Sequence, residues 1–185
     1  MPESLRDGRG RGYLAAVTAE NRLQTNAVVS SAGHHTNLTH GDTYAFNFSA
    51  TPTGAGDCFL YLLNSNEKEI IVEGISIYAA TAEKITIYGN QNGTPVGGAA
   101  VTPANMHLGS NNVADGTFQH GNDITGMSGG TILMTYRIPA GETRVINFES
   151  DIIIPNNKNI TIYATTGGIA LEGFIDFWHE HGGSH

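Results

Sequence analysis

Apolar and polar residues alternate along most of this chain with a period of two, which predicts β-strands. Tyr44, Phe46 and Phe48 alternate with small or polar residues, and side chains at every second position of a strand share one face. Similar apolar segments predict further strands at residues 59–63, 70–78, 84–88, 131–137, 143–148, 151–154, 159–164 and 169–178. In the segment 70–78 we expect Ile71, Glu73, Ile75 and Ile77 to share one face. Residues 94–130 are poor in hydrophobic side chains, so we expect loops there with one or two brief strands.

The pattern indicates almost no helix and a two-layer β fold. Only a weak match to amphipathic helical spacing occurs, in residues 12–23. About nine strands without a repeat of roughly 20 to 50 residues favour a sandwich over a propeller or solenoid. Residues 145–155 predict a strand, an acidic corner at 149–151 and a second strand ending at Pro155, as where jelly-roll strands cross between sheets. The predicted fold class is all-β, a jelly-roll-like β-sandwich preceded by an extended N-terminal arm.

The first part of the chain has a different composition from the rest. Glycines at positions 8, 10 and 12 alternate with Arg9 and Arg11, a pattern that buries too little apolar surface to fold alone. Four of the nine Lys and Arg residues lie in the first 22 positions, whereas five basic and fourteen acidic residues follow Arg22. We therefore divide the chain into a docking arm, residues 1–31, and a β-sandwich domain, residues 32–185, and expect the arm to order on another surface.

Charge and composition exclude several classes of partner. The net charge of −8 argues against nucleic-acid binding by the body, and no direct nucleic-acid contact is expected. The sequence has no apolar run near the roughly 20 residues that span a membrane and no signal peptide, so we expect no membrane partner and synthesis in the cytoplasm. Cys58 is the single cysteine, which excludes an internal disulfide and is typical of a small buried thiol.

The chain opens with a distinctive motif, Leu5-Arg6-Asp7-Gly8-x-Gly10-x-Gly12-Tyr13-Leu14-Ala15-x-Val17, followed by Asn21-Arg22-Leu23. The body adds short motifs at residues 44–47, 61–64, 94–95, 101–105 and 150–155. Together these motifs resemble those of small tailed-bacteriophage virion proteins. The resemblance implies a noncatalytic virion structural protein of the capsid decoration (cement), head-fibre or tail-associated type, made in the host bacterial cytoplasm and located in the virion.

This resemblance makes the arm the expected partner-binding segment. Arginine side chains would pair with acidic groups or carbonyl oxygens of another virion protein in the capsid or tail, and apolar side chains would anchor the arm. These arm residues are Arg6, Arg9, Arg11, Tyr13, Leu14, Val17, Arg22 and Leu23. A homotrimer is expected, because three arms multiply the weak affinity of each one.

Enzymatic and metal-binding readings have weaker support. Gly-x-Ser-x-Gly occurs around Ser128, but a strand pattern follows it where a hydrolase needs a helix, so a glycine-rich turn is favoured. His179 and His181 would share a face of an extended segment and are the weak candidates for a metal site. Glycines follow them in a loose terminus, so we expect no native metal, no cofactor and no catalytic residue.

Glycan binding is the alternative from another functional class. Sandwich domains hold sugars on exposed aromatic platforms, and the candidate aromatic residues here include Trp178 and Tyr136. The chain would then be a tail- or head-fibre-associated receptor-binding protein that recognises a host glycan. Large aromatic side chains in such strands serve mainly in cores and interfaces, so we favour packing for both residues.

Overall fold

The computed structural model describes residues 32–180 and two short strands nearer the N-terminus. The chain divides into two units, Met1–Ser31 and Ala32–His185. In the first unit, β1 (Leu5–Arg6) pairs with β2 (Leu14–Ala15) in antiparallel fashion. The weak helical match in residues 12–23 and the extended course predicted for the arm lie largely outside the described residues.

The second unit contains one helix and twelve described strands. The helix is α1 (Ala32–His40), and the strands are β3 (Thr43–Ala50), β4 (Cys58–Leu63), β5 (Ile70–Ala79), β6 (Glu83–Gly89), β7 (Asn92–Val96), β8 (Ala99–Ala100), β9 (Ala104–Asn105), β10 (Thr117–Ser128), β11 (Thr131–Ile138), β12 (Glu142–Ile154), β13 (Asn159–Ala164) and β14 (Leu171–His179). Every segment predicted to be a strand is in a strand, with ends that differ by a few residues, but the two strands predicted at 143–148 and 151–154 form the single strand β12.

The strands form two antiparallel sheets. One sheet has the order β12-β5-β14-β3-β9, and the other has the order β11-β6-β13-β4-β10-β7, with β8 beside β10. Strands β3 to β6 alternate between the two sheets, β6 and β11 are neighbours in one sheet, and β11 to β14 alternate again. This is the connectivity of a jelly roll. The predicted all-β, jelly-roll-like sandwich is therefore confirmed.

The core lies between the sheets and is rich in aromatic rings. Phe118 stacks on Phe177 with ring centroids 5.2 Å apart, and its edge meets Phe46 at 5.6 Å. Isoleucines from both sheets surround these rings, including Ile75 and Ile87. In β3 the buried residues are those that the period-two pattern assigns to one face.

The helix α1 was not predicted. Its sequence lacks an apolar stripe and includes three polar histidines, His34, His35 and His40. The helix ends at His40, and the next residue, Gly41, has a φ of 65°. The Gly41 N–H donates to the carbonyl oxygens of Thr36 and Asn37 at 3.1 and 3.0 Å. Glycine in this left-handed conformation is a common helix terminator, so Gly41 was the signal that sequence reasoning missed.

Two further predictions were wrong. The loop-rich segment 94–130 contains the twelve-residue strand β10, whose buried side chains include only Phe118 and Ile124. The corner at 149–151 does not carry the chain between sheets, because β12 pairs with β5 on both sides of it. The corner is instead a bulge between Asn147 and Ile152, with Glu149 and Ser150 at φ values of 52° and 67°.

Candidate functional site

A cavity of about 270 Å³ opens on the face of the five-stranded sheet that points away from the core. We call it the outer-face cavity. Its lining residues come from three adjacent strands and are Glu73, Gly74, Ile75, Ser76, Val145, Ile146, Asn147, Phe174 and Asp176. Sequence reasoning singled out none of them as a ligand site.

A change of alternation in β5 creates the cavity. Val72, Ile75 and Ile77 all belong to the core, so the side-chain pattern shifts by one residue at Glu73 and Gly74. The prediction that Ile71 and Glu73 share a face with Ile75 and Ile77 was therefore wrong. Gly74 lies between Asn147 of β12 and Asp176 of β14. A Cβ there would lie 2.8 Å from the Ile146 carbonyl oxygen, so this floor position requires glycine.

Glu73 is held in place by two side chains. The Ser150 hydroxyl donates to Glu73 Oε2 at 2.7 Å, and the Trp178 indole N–H approaches the same oxygen at 3.4 Å. Ser150 reaches this position because it lies in the bulge of β12. The carboxylate is therefore fixed at the edge of the cavity before any ligand arrives.

Asp176 is the second carboxyl group of the cavity. Burial raises its pKa above the ordinary value, and the nearby charge of Glu73 raises it further. Hydrogen bonds from its own backbone N–H and that of Gly74 oppose this pKa shift. Among the described residues the one ion pair is Lys68–Asp42, so no described cation neutralises Glu73 or Asp176.

A second, more polar cavity of about 320 Å³ lies beside the start of β3. Asp42 Oδ1 accepts hydrogen bonds from the Tyr44 hydroxyl at 3.2 Å and from Asn112 Nδ2 at 2.6 Å, and Lys68 Nζ lies 3.4 Å from Asp42 Oδ2. Burial, followed by the charge of Asp42, raises the pKa of Tyr44. These contacts fasten the loop that carries Asn112 to the sandwich.

His179, a candidate metal ligand, borders this polar cavity. Its side chain is 2% exposed, and its ring meets Tyr44 and Phe177 edge-on. The backbone N–H of Asp115 donates to His179 Nε2 at 3.2 Å, which occupies the lone pair that would bind a metal. Its proposed co-ligand His181 lies outside the described residues. Within residues 32–180, no three His, Cys, Asp or Glu side chains are arranged to hold a metal ion.

Neither aromatic candidate, Trp178 or Tyr136, forms an exposed platform for a sugar. Trp178 is only 8% exposed, and its indole lies under the start of α1, where a Cβ on Gly33 would be 3.3 Å from Trp178 Cδ1. Tyr136 is half-buried on β11 and its hydroxyl donates to Met134 Sδ at 3.2 Å. The half-exposed aromatic ring beside the outer-face cavity belongs instead to Phe174.

The predicted docking residues of the arm fall mostly outside the described part of the chain. Arg6 lies in β1 and Leu14 in β2, where the two residues are backbone partners. The others lie outside the described residues and are Arg9, Arg11, Tyr13, Val17, Arg22 and Leu23.

Ser128, the serine of the Gly-x-Ser-x-Gly motif, precedes a turn, and Cys58 is a buried thiol. Ser128 is the last residue of β10, and Gly129 and Gly130, with φ values of 68° and 86°, turn the chain into β11. The motif around it is therefore a glycine-rich turn between two strands that do not pair with each other, and a glycine-rich turn is what its sequence context indicates. Cys58 is buried, and burial raises the pKa of its thiol to about 12, so the thiol is protonated at neutral pH.

No family model matches the chain, and neither a curated protein nor a solved structure matches it. Within the part of the chain that the structure describes, no helix has the length and apolar character to cross a bilayer.

Proposed function

We propose that the chain is a noncatalytic virion structural protein of a tailed bacteriophage, a capsid decoration (cement) protein that docks through residues 1–31. The jelly roll stands outward from the capsid, and the arm lies on the partner. The resemblance of the opening motif to those of phage virion proteins supports this assignment, as does a β-sandwich body with an extensive core.

The observation that carries the proposal is the separation of charge along the chain. Residues 1–31 contain four arginines and three acidic residues, whereas residues 32–185 contain five basic and fourteen acidic residues. The boundary between the two units, Ser31 and Ala32, lies in the stretch without Asp, Glu, Lys or Arg that separates Arg22 from Asp42. A basic segment joined to an acidic body favours docking by the segment, because an acidic partner surface attracts the segment and repels the body.

Docking of the arm orders a segment that is rich in glycine, which costs conformational entropy. Arginine offsets this cost well because its planar guanidinium makes paired hydrogen bonds to carboxylates and carbonyl groups. A homotrimer offsets it further, since the second and third arms bind at a high effective concentration once the first has docked.

A charge-reversal experiment tests the proposal. Particles assembled without this protein are mixed with purified full-length chain, and bound protein is measured after sedimentation. The double variant Arg9→Glu/Arg11→Glu is expected to lose at least about tenfold in affinity, and wild-type binding is expected to weaken with salt.

The matched control is Lys84→Glu/Lys158→Glu, which makes the same charge change at two exposed positions of the sandwich. It should bind particles as the wild type does. Equal losses in the two double variants would reveal a general charge effect, and an unaffected arm variant would place the docking surface on the sandwich. Either result contradicts the proposal.

A further inference from the structure

The lining residues of the outer-face cavity all belong to the second unit. We propose that the cavity binds one pyranose ring of a host surface glycan. Phe174 forms one wall, and Asp176 and Asn147 supply the hydrogen-bonding groups. That the glycan belongs to a host rests on the proposed function, whereas sugar binding by the cavity rests on its own geometry.

Two neighbouring rows of side chains give the cavity its shape. In the first row, Val145 and Phe174 flank Ser76 on the adjacent strands. In the second row, Asn147 and Asp176 flank Gly74. Because each outer strand lies one strand spacing from the middle strand, the walls of each row stand about 10 Å apart. The small side chain of Ser76 and the missing side chain of Gly74 leave a floor between the walls, wide enough for one six-membered ring.

The chemistry of the two rows suits a sugar. Val145 is 73% exposed and Phe174 is 39% exposed, so the first row offers apolar and aromatic surface to the C–H face of a pyranose. The second row offers carboxylate oxygens and a side-chain amide, which accept from and donate to sugar hydroxyl groups. Concave, largely apolar sites with a few fixed polar groups are typical of small-ligand binding, and the volume of about 270 Å³ fits one ring.

The polar groups are already oriented. Backbone N–H groups of Gly74 and Asp176 hold the Asp176 carboxylate, while Ser150 and Trp178 hold Glu73. A ligand therefore pays little conformational entropy to order them. The buried indole of Trp178 thus contributes by positioning Glu73, and the exposed ring of Phe174 provides the contact surface.

Binding is tested with the full-length protein. Methyl glycosides of glucose, galactose, mannose and N-acetylglucosamine are used in saturation-transfer NMR, and an array of bacterial surface oligosaccharides is probed in parallel. We expect at least one glycoside to receive saturation mainly at the C–H protons of one ring face. We also expect array signals for oligosaccharides that contain the same sugar.

Variants locate the binding site. Phe174→Ala is expected to lower the affinity about tenfold, because it removes the stacking surface. Asp176→Asn keeps the shape but removes the carboxylate and should weaken binding several-fold. Gly74→Ala should fill the floor and abolish binding. Ile132→Ala removes an exposed apolar side chain from the other sheet and should bind sugar as the wild type does.

Thermal unfolding checks that each variant is folded. If Gly74→Ala does not fold, Phe174→Ala and Asp176→Asn alone test whether the cavity is the binding site. The proposal is overturned if no glycoside or array glycan binds, or if binding survives both of those substitutions. It is also overturned if N-acetylarginine amide saturates the cavity while sugars do not, since that identifies a cationic protein side chain as the ligand. The Phe174→Ala protein should still bind particles as the wild type does. A loss of sugar binding can therefore be distinguished from a loss of arm docking.

Discussion

The side-chain amide of Asn159 pairs with the backbone of Gln91 as a peptide group would. Gln91 N donates to Asn159 Oδ1 at 3.0 Å, and Asn159 Nδ2 donates to the Gln91 carbonyl oxygen at 2.8 Å. The Gln91 side chain in turn accepts from the hydroxyl groups of Thr161 and Tyr163. Both Asn159 and Gln91 are buried, so this network ties the segment after β6 to β13.

Replacing Asn159 by alanine should therefore destabilise the jelly roll by about 2–4 kcal/mol, because two buried backbone groups lose their partners. Urea denaturation measures the change in the free energy of unfolding. Asn111→Ala, in an exposed loop, should change it by less than about 0.5 kcal/mol. Similar values for the two variants would show that the network contributes little.

The buried thiol of Cys58 predicts a dependence of stability on alkaline pH. Burial raises its pKa from 9.0 to about 12, so the folded state keeps the proton that the unfolded state releases first. The resulting stability is complete below about pH 9 and is lost as the pH rises from there toward 12. Between about pH 8 and pH 10, wild type should lose about 1–2 kcal/mol more than Cys58→Ala in urea denaturation. The buried tyrosines remain in both proteins, so parallel pH profiles would contradict the pKa shift.

Gly173 should be irreplaceable for packing. A Cβ at this position would overlap the Ser76 carbonyl oxygen and lie 3.0 Å from Phe48 Cζ. Gly173→Ala is expected to lower the free energy of unfolding by more than about 3 kcal/mol or to prevent soluble expression. In Gly54→Ala the new Cβ would lie 3.6 Å from the Asp57 carboxylate, an ordinary contact, so this control should fold normally. If the Gly173→Ala protein unfolds at the same temperature as the wild type, β5 and β14 can move apart at little cost, which would contradict this prediction.

The proposed homotrimer predicts a mass in solution three times that of the 19.6 kDa chain. Sedimentation equilibrium at micromolar concentration measures it directly. A monomer at all concentrations would remove avidity from the docking account and require each arm to bind strongly by itself.

The sequence predicted the sandwich because its long strands carry strong patterns. Ile85 and Ile87 alternate with polar neighbours, and each is buried where the period of two places it. By contrast, β10 lies between β4 and the short strands β7 and β8, and its register is irregular after His120. Most of its side chains are not buried, so the strand has few apolar residues. No hydrophobic pattern marks a strand of this kind.

The outer-face cavity could not be predicted for a related reason. It depends on a one-residue change of phase at Glu73, which places Asp176 and Asn147 on either side of Gly74. Those three residues are far apart along the chain, and their register is a property of the folded sheets. Trp178 was an evident aromatic candidate, but the helix that covers it has no apolar periodicity and is marked in the sequence only by Gly41 after its end.

The most direct test of the central claim is electron cryomicroscopy of particles assembled with the full-length chain or with a chain that lacks residues 1–25. With the full chain, we predict density for a jelly roll on the particle surface, joined to the capsid by an ordered arm. The truncated chain should retain the thermal stability of the sandwich and leave the particles bare. Equal occupancy by the truncated chain would contradict the claim that residues 1–31 dock the protein.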